Sequence, residues 1–201
     1  MIAPKARAAD WTEERGSEGR ASERRGKPGG YSAPGGIKQQ RVILVTQTRA
    51  DALARLDVFI GDWSLEARFP DQEPAGAAAG GPMVRSRFEW TLDGQFLLQR
   101  TEVPIPDAPD SLAIVAADPQ AGRYTQHYYD SRGVLRLYAM TLANGVWTLT
   151  RESADFTPLD FRQRFTGTFG ADGNTISGAW EKGRDGGEWE HDFALTYRRA
   201  G

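Results

Sequence analysis

The chain contains no cysteine. Disulfide staples, thiolate zinc sites and cysteine nucleophiles are therefore excluded, and a reducing compartment suits it. It has only two histidines, on separate predicted strands and without zinc-like spacing, so a histidine-built metal centre lacks ligands. No apolar run comes near the roughly eighteen residues that a membrane-crossing helix needs. Neither charge dominates: 25 Lys+Arg face 27 Asp+Glu, a net of −2. That removes the basic excess expected of a nucleic-acid binder. Met1–Ala9 has basic residues but no apolar segment behind them, so it does not read as a secretory signal. There is no Gly-x-Ser-x-Gly elbow and no glycine loop placed to cradle a phosphate. The expectation is a soluble, cytoplasmic, bacterial protein without nucleic-acid or membrane partners.

What is present is aromatic: 6 Trp, 6 Tyr and 9 Phe in 201 residues, enough for one domain with a substantial core. Residues 1–40 are of different material, with 7 Gly, 3 Pro and scattered charge. Through Arg41 there are 9 Lys+Arg against 5 Asp+Glu, while the rest holds 16 against 22. Such composition buries too little apolar surface to offset ordering entropy. Residues 1–45 are thus expected to be disordered or an extension, and 46–201 a β-barrel domain.

Within the domain, Thr48–Ile60 has helical spacing at Leu53, Leu56, Phe59 and Ile60, a cap at Thr48 and a stop at Gly61. From Trp63 the period becomes two. Alternating segments follow at Trp63–Phe69, Val84–Trp90, Phe96–Arg100, Tyr124–Asp130, Phe161–Phe169 and Glu188–Arg198, and Leu112–Ala117 reads as a strand buried on both faces. Asp93-Gly94 and Asn144-Gly145 signal tight hairpins. About ten strands with short links must bury one apolar face each, and closure removes the exposed edges. The fold class predicted is all-β: an antiparallel up-and-down barrel with one short N-terminal helix and a disordered tail. A two-sheet sandwich is the competitor.

Leu56, Phe59-Ile60-Gly61-Asp62-Trp63, Leu92-Asp93-Gly94-Gln95-Phe96-Leu97, Tyr128-Tyr129-Asp130-Ser131-Arg132-Gly133 and Gln163-Arg164-Phe165-Thr166-Gly167 carry a family likeness. In these the chain resembles an uncharacterised bacterial family of calycin-like β-barrels, akin in fold to lipocalins, fatty-acid-binding proteins and nitrobindins. The resemblance covers about residues 50–198. It implies a barrel with Trp63 plugging the closed end, and it brings no catalytic residues. Comparison with nitrobindins implies an alternative, haem or nitric-oxide handling with His191 as axial ligand. The nitrobindin Gly-x-Trp-x-Gly-x-Gly pattern is not kept; here Trp63 is followed by Ser64-Leu65-Glu66-Ala67.

Polar residues sharing a face with apolar ones are the candidate ligand contacts. Arg100 follows Phe96 and Leu98, Gln126 sits with Tyr124 and Tyr128, and Gln163 lies between Phe161 and Phe165. If those faces point inward, an arginine with two amides suits the carboxylate or carbonyl of an otherwise apolar ligand. Tyr128, Tyr138 and His191 complete the candidate set. An alternative phase places Arg136 inside with Tyr138 and Met140, since Val134–Thr141 is apolar on both faces. The expected role is a small-molecule binder, with no cofactor required. A small isomerase or cyclase using Glu102, Asp130 or His191 as acid or base is the other alternative, and a homodimer through outer strands is open.

Overall fold

The computed structural model describes residues 48–70, 83–118, 122–184 and 187–201. The expectations for residues 1–45 and for most of the Pro70–Pro82 loop lie outside the described residues. Among these residues, ten strands form one closed antiparallel barrel in simple up-and-down order, as the patterning predicts. They are β1 (Gly61–Arg68), β2 (Val84–Thr91), β3 (Phe96–Glu102), β4 (Ser111–Asp118), β5 (Arg123–Asp130), β6 (Leu135–Ala143), β7 (Val146–Arg151), β8 (Arg162–Phe169), β9 (Thr175–Gly183) and β10 (Glu190–Arg199). Each pairs with its sequence neighbour, and β1 pairs with β10 to close the ring.

One end of the barrel is plugged by the helix. Here α1 (Arg49–Ala54) runs on into a 3₁₀ turn, Arg55–Phe59. Thr48 forms a capping box: its Oγ1 accepts from Asp51 N, and its own backbone N–H donates to the Asp51 carboxylate. That satisfies two helix-start donors reciprocally. The apolar stripe Ala52, Leu56 and Phe59 is buried among the barrel core. Full burial of Leu56 and Phe59 contributes about 1.5–3 kcal/mol each. Phe59 stacks on Phe88 and meets Trp147 and Phe169 edge-on. Trp63, 1 % exposed, donates its indole N–H to the Phe59 carbonyl at 2.7 Å, and Tyr124 donates to the Ala52 carbonyl at 2.8 Å. Arg199 at the end of β10 donates to the carbonyls of Ile60 and Val58 and lies over the Trp63 ring at 4.3 Å. Orphan helix-end carbonyls are thereby met by a cation. Gly61 is required at the bend: its φ is +125°, and a Cβ would approach Arg199 Nη1 to 2.9 Å.

Leu112–Ala117 alternates between buried and half-buried positions, so β4 is not sealed on both faces. Its outer residues Leu112, Ile114 and Ala116 stay partly accessible because no second layer covers the barrel among the described residues.

A second close approach lies where β8 crosses β9. Gly167 and Gly178 are cross-strand partners, and the Phe165 ring folds over both. A Cβ on Gly178 would stand 2.5 Å from the Thr166 carbonyl oxygen and 2.8 Å from the ring. Backbone cannot yield there, so Gly178→Ala is expected to destabilise the barrel by about 1–3 kcal/mol in urea unfolding, with Phe165 displaced. A midpoint unchanged from wild type would contradict this packing.

Candidate functional site

Among the described residues, the opposite end of the barrel is open. A cavity of about 440 Å³ runs inward from it, within the range of small-molecule sites. Its floor and much of its wall are apolar: Leu65, Leu149, Phe165, Trp180, Leu195 and Trp147. Four of the five large exposed apolar side chains among the described residues, Phe69, Met83, Ile105 and Phe156, sit in segments at this open end. The Trp147 indole N–H is buried without a hydrogen-bond partner, boxed by the rings of Phe59, Phe88, Phe165 and Tyr197.

One polar patch on β5, β6 and β8 has unmet bonding capacity. Arg136 Nη1 donates to Gln163 Oε1 at 2.6 Å, and the Tyr138 hydroxyl donates to the same oxygen at 3.1 Å. A guanidinium can only donate, so the Gln163 carbonyl must face it and the amide NH₂ points elsewhere. Arg136 also lies 5.8 Å from the Phe161 ring centroid. It forms no ion pair with a carboxylate among the described residues. Beside it, Gln126 is 4 % exposed, lines the cavity and has no hydrogen-bond partner for its amide among those residues. Gln126 and Tyr138 are direct cross-strand partners. By contrast, the polar residues of β2 and β3 satisfy one another: Gln99 Nε2 donates to Ser86 Oγ at 3.0 Å, and Ser86 and Thr101 share a 3.0 Å bond. Gln99 also bonds Tyr197.

Asp130 closes β5 at the mouth. Its Oδ1 accepts from the backbone N–H of Arg132 and Val134, and Arg132 covers Oδ2 at 2.6 Å. Burial alone would raise its pKa, but the Arg132 guanidinium and the two N–H donors outweigh burial and hold it low. Tyr128, which donates to Asp130 at 3.4 Å, is pushed up to about 12 by burial and then by the Asp130 charge. Burial likewise takes Tyr197 up to about 12. General acids and bases work best near the operating pH, and these shifts run away from it.

A buried ion pair fixes the next loop. Arg151 and Asp155, with side chains 3 % and 4 % exposed, meet at 2.8 and 2.9 Å. Asp155 also accepts from Leu137 N, a strand donor beyond the last β6–β7 pair, and from Thr157 N. These contacts clamp both chain neighbours of Phe156, which itself is exposed.

Of the residues singled out from sequence, Gln126, Tyr128, Tyr138 and Gln163 line the cavity together. Arg100 does not. It is exposed on the outer face, and Gln99 occupies the inward position. The β2–β3 loop is the reason: it has four residues, Leu92–Gln95, so Thr91 pairs with Phe96 and Trp90 with Leu97. A three-residue loop would bring Phe96, Leu98 and Arg100 inside, and one residue of slip reverses every side chain. His191 is also outside. A bulge between His191 and Phe193 puts Phe193 opposite Trp180 inside but leaves His191 opposite Glu181 on the outer face. There the Glu181 carboxylate holds a bidentate Arg164, whose guanidinium stacks on Trp189 at 4.5 Å. His127 is paired between Ile114 and Leu137 and does not line the cavity. With neither histidine in the cavity, an axial imidazole for haem is not available there. Glu102 is exposed, away from the cavity. Arg136, the alternative phase for β6, lines the cavity, as does Arg132, which is paired with Asp130.

No family model and no curated protein sequence matches the chain. Among solved structures it is similar to Rv2717c from M. tuberculosis, with 15 % identity and a TM-score of 0.49 over 75 % of this chain and 98 % of that one. No residue role is carried across at that level.

Two outcomes follow from this electrostatics. Asp155 is held well below the ordinary carboxylate range, first by Arg151 and then by Leu137 and Thr157 N–H. A depressed folded pKa gives stability that is complete above about pH 4 and is lost as pH falls below it. Asp155→Ala is therefore expected to cost about 3–5 kcal/mol at pH 7 by denaturant unfolding, and to flatten the acid limb of the stability curve. The raised phenols behave oppositely. Their contribution is complete below pH 10 and is lost as pH rises through about 12. Tyrosinate absorbance should show late protons in the folded chain, those of Tyr128 and Tyr197 among them and burial delaying Tyr124 and Tyr138 as well, with one fewer after Tyr128→Phe; complete ionisation of all tyrosines near pH 10 in folded protein would contradict the buried phenols.

Proposed function

We propose that this chain is a non-enzymatic binder of a small, largely apolar molecule with an acidic head group, taken into the barrel interior. The observation carrying the reading is Arg136: a cation lining a cavity with a largely apolar floor, hydrogen-bonded to Gln163 and without an ion-paired carboxylate among the described residues. A charged donor in such surroundings gains more from an anionic acceptor than it does in water. The free NH₂ of Gln163 and the apolar wall of Leu149, Phe165 and Trp180 complete a site for head and body.

The calycin-like assignment is part of the same reading, supported by the up-and-down order and the helix plugging one end. So is a cytoplasmic location. The absence of cysteine and of a helix long and apolar enough to cross a membrane among the described residues is compatible with it. Neither a haem-handling role nor an isomerase or cyclase has an observation in its favour, since no imidazole lines the cavity and Asp130 is tuned away from neutrality.

Calorimetric titration with decanoate and decanol tests the reading. Decanoate is expected to bind, and Arg136→Met to weaken it by roughly 10–100-fold, the loss of a charge-assisted hydrogen bond, while decanol changes little. Decanoate binding that ignores Arg136, or no binding of either amphiphile, would overturn it.

A further inference from the structure

The acidic-head reading leaves Gln126 unexplained. The residue is 4 % exposed, lines the cavity and has no hydrogen-bond partner for its amide among the described residues. A side-chain amide without a protein partner in a cavity wall is met by water or by a ligand group that both donates and accepts. An alkyl carboxylate does not fill this need. Its oxygens only accept, so they answer Arg136 and the Gln163 NH₂ but leave the Gln126 carbonyl without a donor.

Position narrows the chemistry further. Tyr138 is the cross-strand partner of Gln126, and its hydroxyl shares Gln163 Oε1 with Arg136. Arg136 and Gln126 are therefore both neighbours of Tyr138, one two residues along β6 and the other across the β5–β6 pair. The Tyr138 proton is committed to Gln163, and its oxygen is bonded by Arg136. Around the carboxylate position, the wall thus presents one further acceptor, Gln126 Oε1, and one further donor, Gln126 Nε2.

Resting on the proposed binding function, we infer that the ligand is a substituted carboxylic acid: an apolar chain whose carboxylate is followed within a few bonds by a hydroxyl or secondary amide. Such a group both donates and accepts, and it completes Gln126. A 3-hydroxy acid and an N-acyl amino acid are the two forms of this one chemistry.

Titration of wild-type chain with decanoate, 3-hydroxydecanoate and N-octanoylglycine reads the inference without any variant. At least one of the two substituted acids is expected to bind tenfold or more tighter than decanoate. Gln126→Leu should erase that preference while leaving decanoate affinity within about twofold, with Gln126→Met as the second variant should the first misfold. Equal affinity for all three would overturn the inference, with the Gln126 amide met by water, yet leave the acid-binding function standing. Failure of all three to bind overturns both.

Discussion

The pairing of β1 with β10 is the interaction on which the rest of this protein depends. Six register pairs, from Trp63 with Arg199 to Arg68 with Ala194, turn an open ten-stranded meander into a ring without edges. Closure does more than satisfy backbone donors. It carries Arg199 onto the carbonyls at the end of the helical segment and over Trp63, so the last strand locks the plug that the first helix supplies. With one end filled by Leu56, Phe59 and Trp63, inward side chains nearer the other end have no opposing layer to fill the space. The cavity is the consequence.

Polar groups inside that cavity divide by whether they are already spent. Ser86, Gln99, Thr101 and Tyr197 form a closed set, which rigidifies one wall. Arg151 and Asp155 are closed upon each other and upon the loop they pin. Asp130 is consumed by Arg132 and its own turn. The patch of Arg136, Gln163 and Gln126 retains open valences, as does the Trp147 indole N–H at the floor, and the patch borders the apolar wall directly. A site for a ligand with a polar head follows from that imbalance between satisfied and unsatisfied groups.

Much of the fold was legible because it rests on local chemistry. The Thr48 cap, the Gly61 stop, the period-two runs and the Asn144-Gly145 turn all act over a few residues, and each is where the patterning put it. Gln126, Tyr128 and Gln163 were legible from the alternation within their strands, whereas Tyr138 lies on a strand apolar on both faces and rested on one of two phases. Arg100 was misplaced because Phe96–Glu102 is nearly as apolar on both faces, and only the length of the preceding loop chooses between them. His191 was misplaced because a bulge has no periodic signature; it adds one residue and flips the face.

By itself, then, the sequence determined the class of structure: cysteine-free, all-β after one short helix, with strands rich in aromatic residues. These properties come from composition and from periodicities that need no partner strand. The tertiary structure alone decided which arginine is inside. Arg136 and Arg100 are chemically equivalent in sequence, and each sits on a strand whose two faces are nearly equally apolar. Register across β2–β3 and β5–β6 sends one into solvent and the other into the cavity, because a pleated strand has two faces and only its neighbour settles which one is buried.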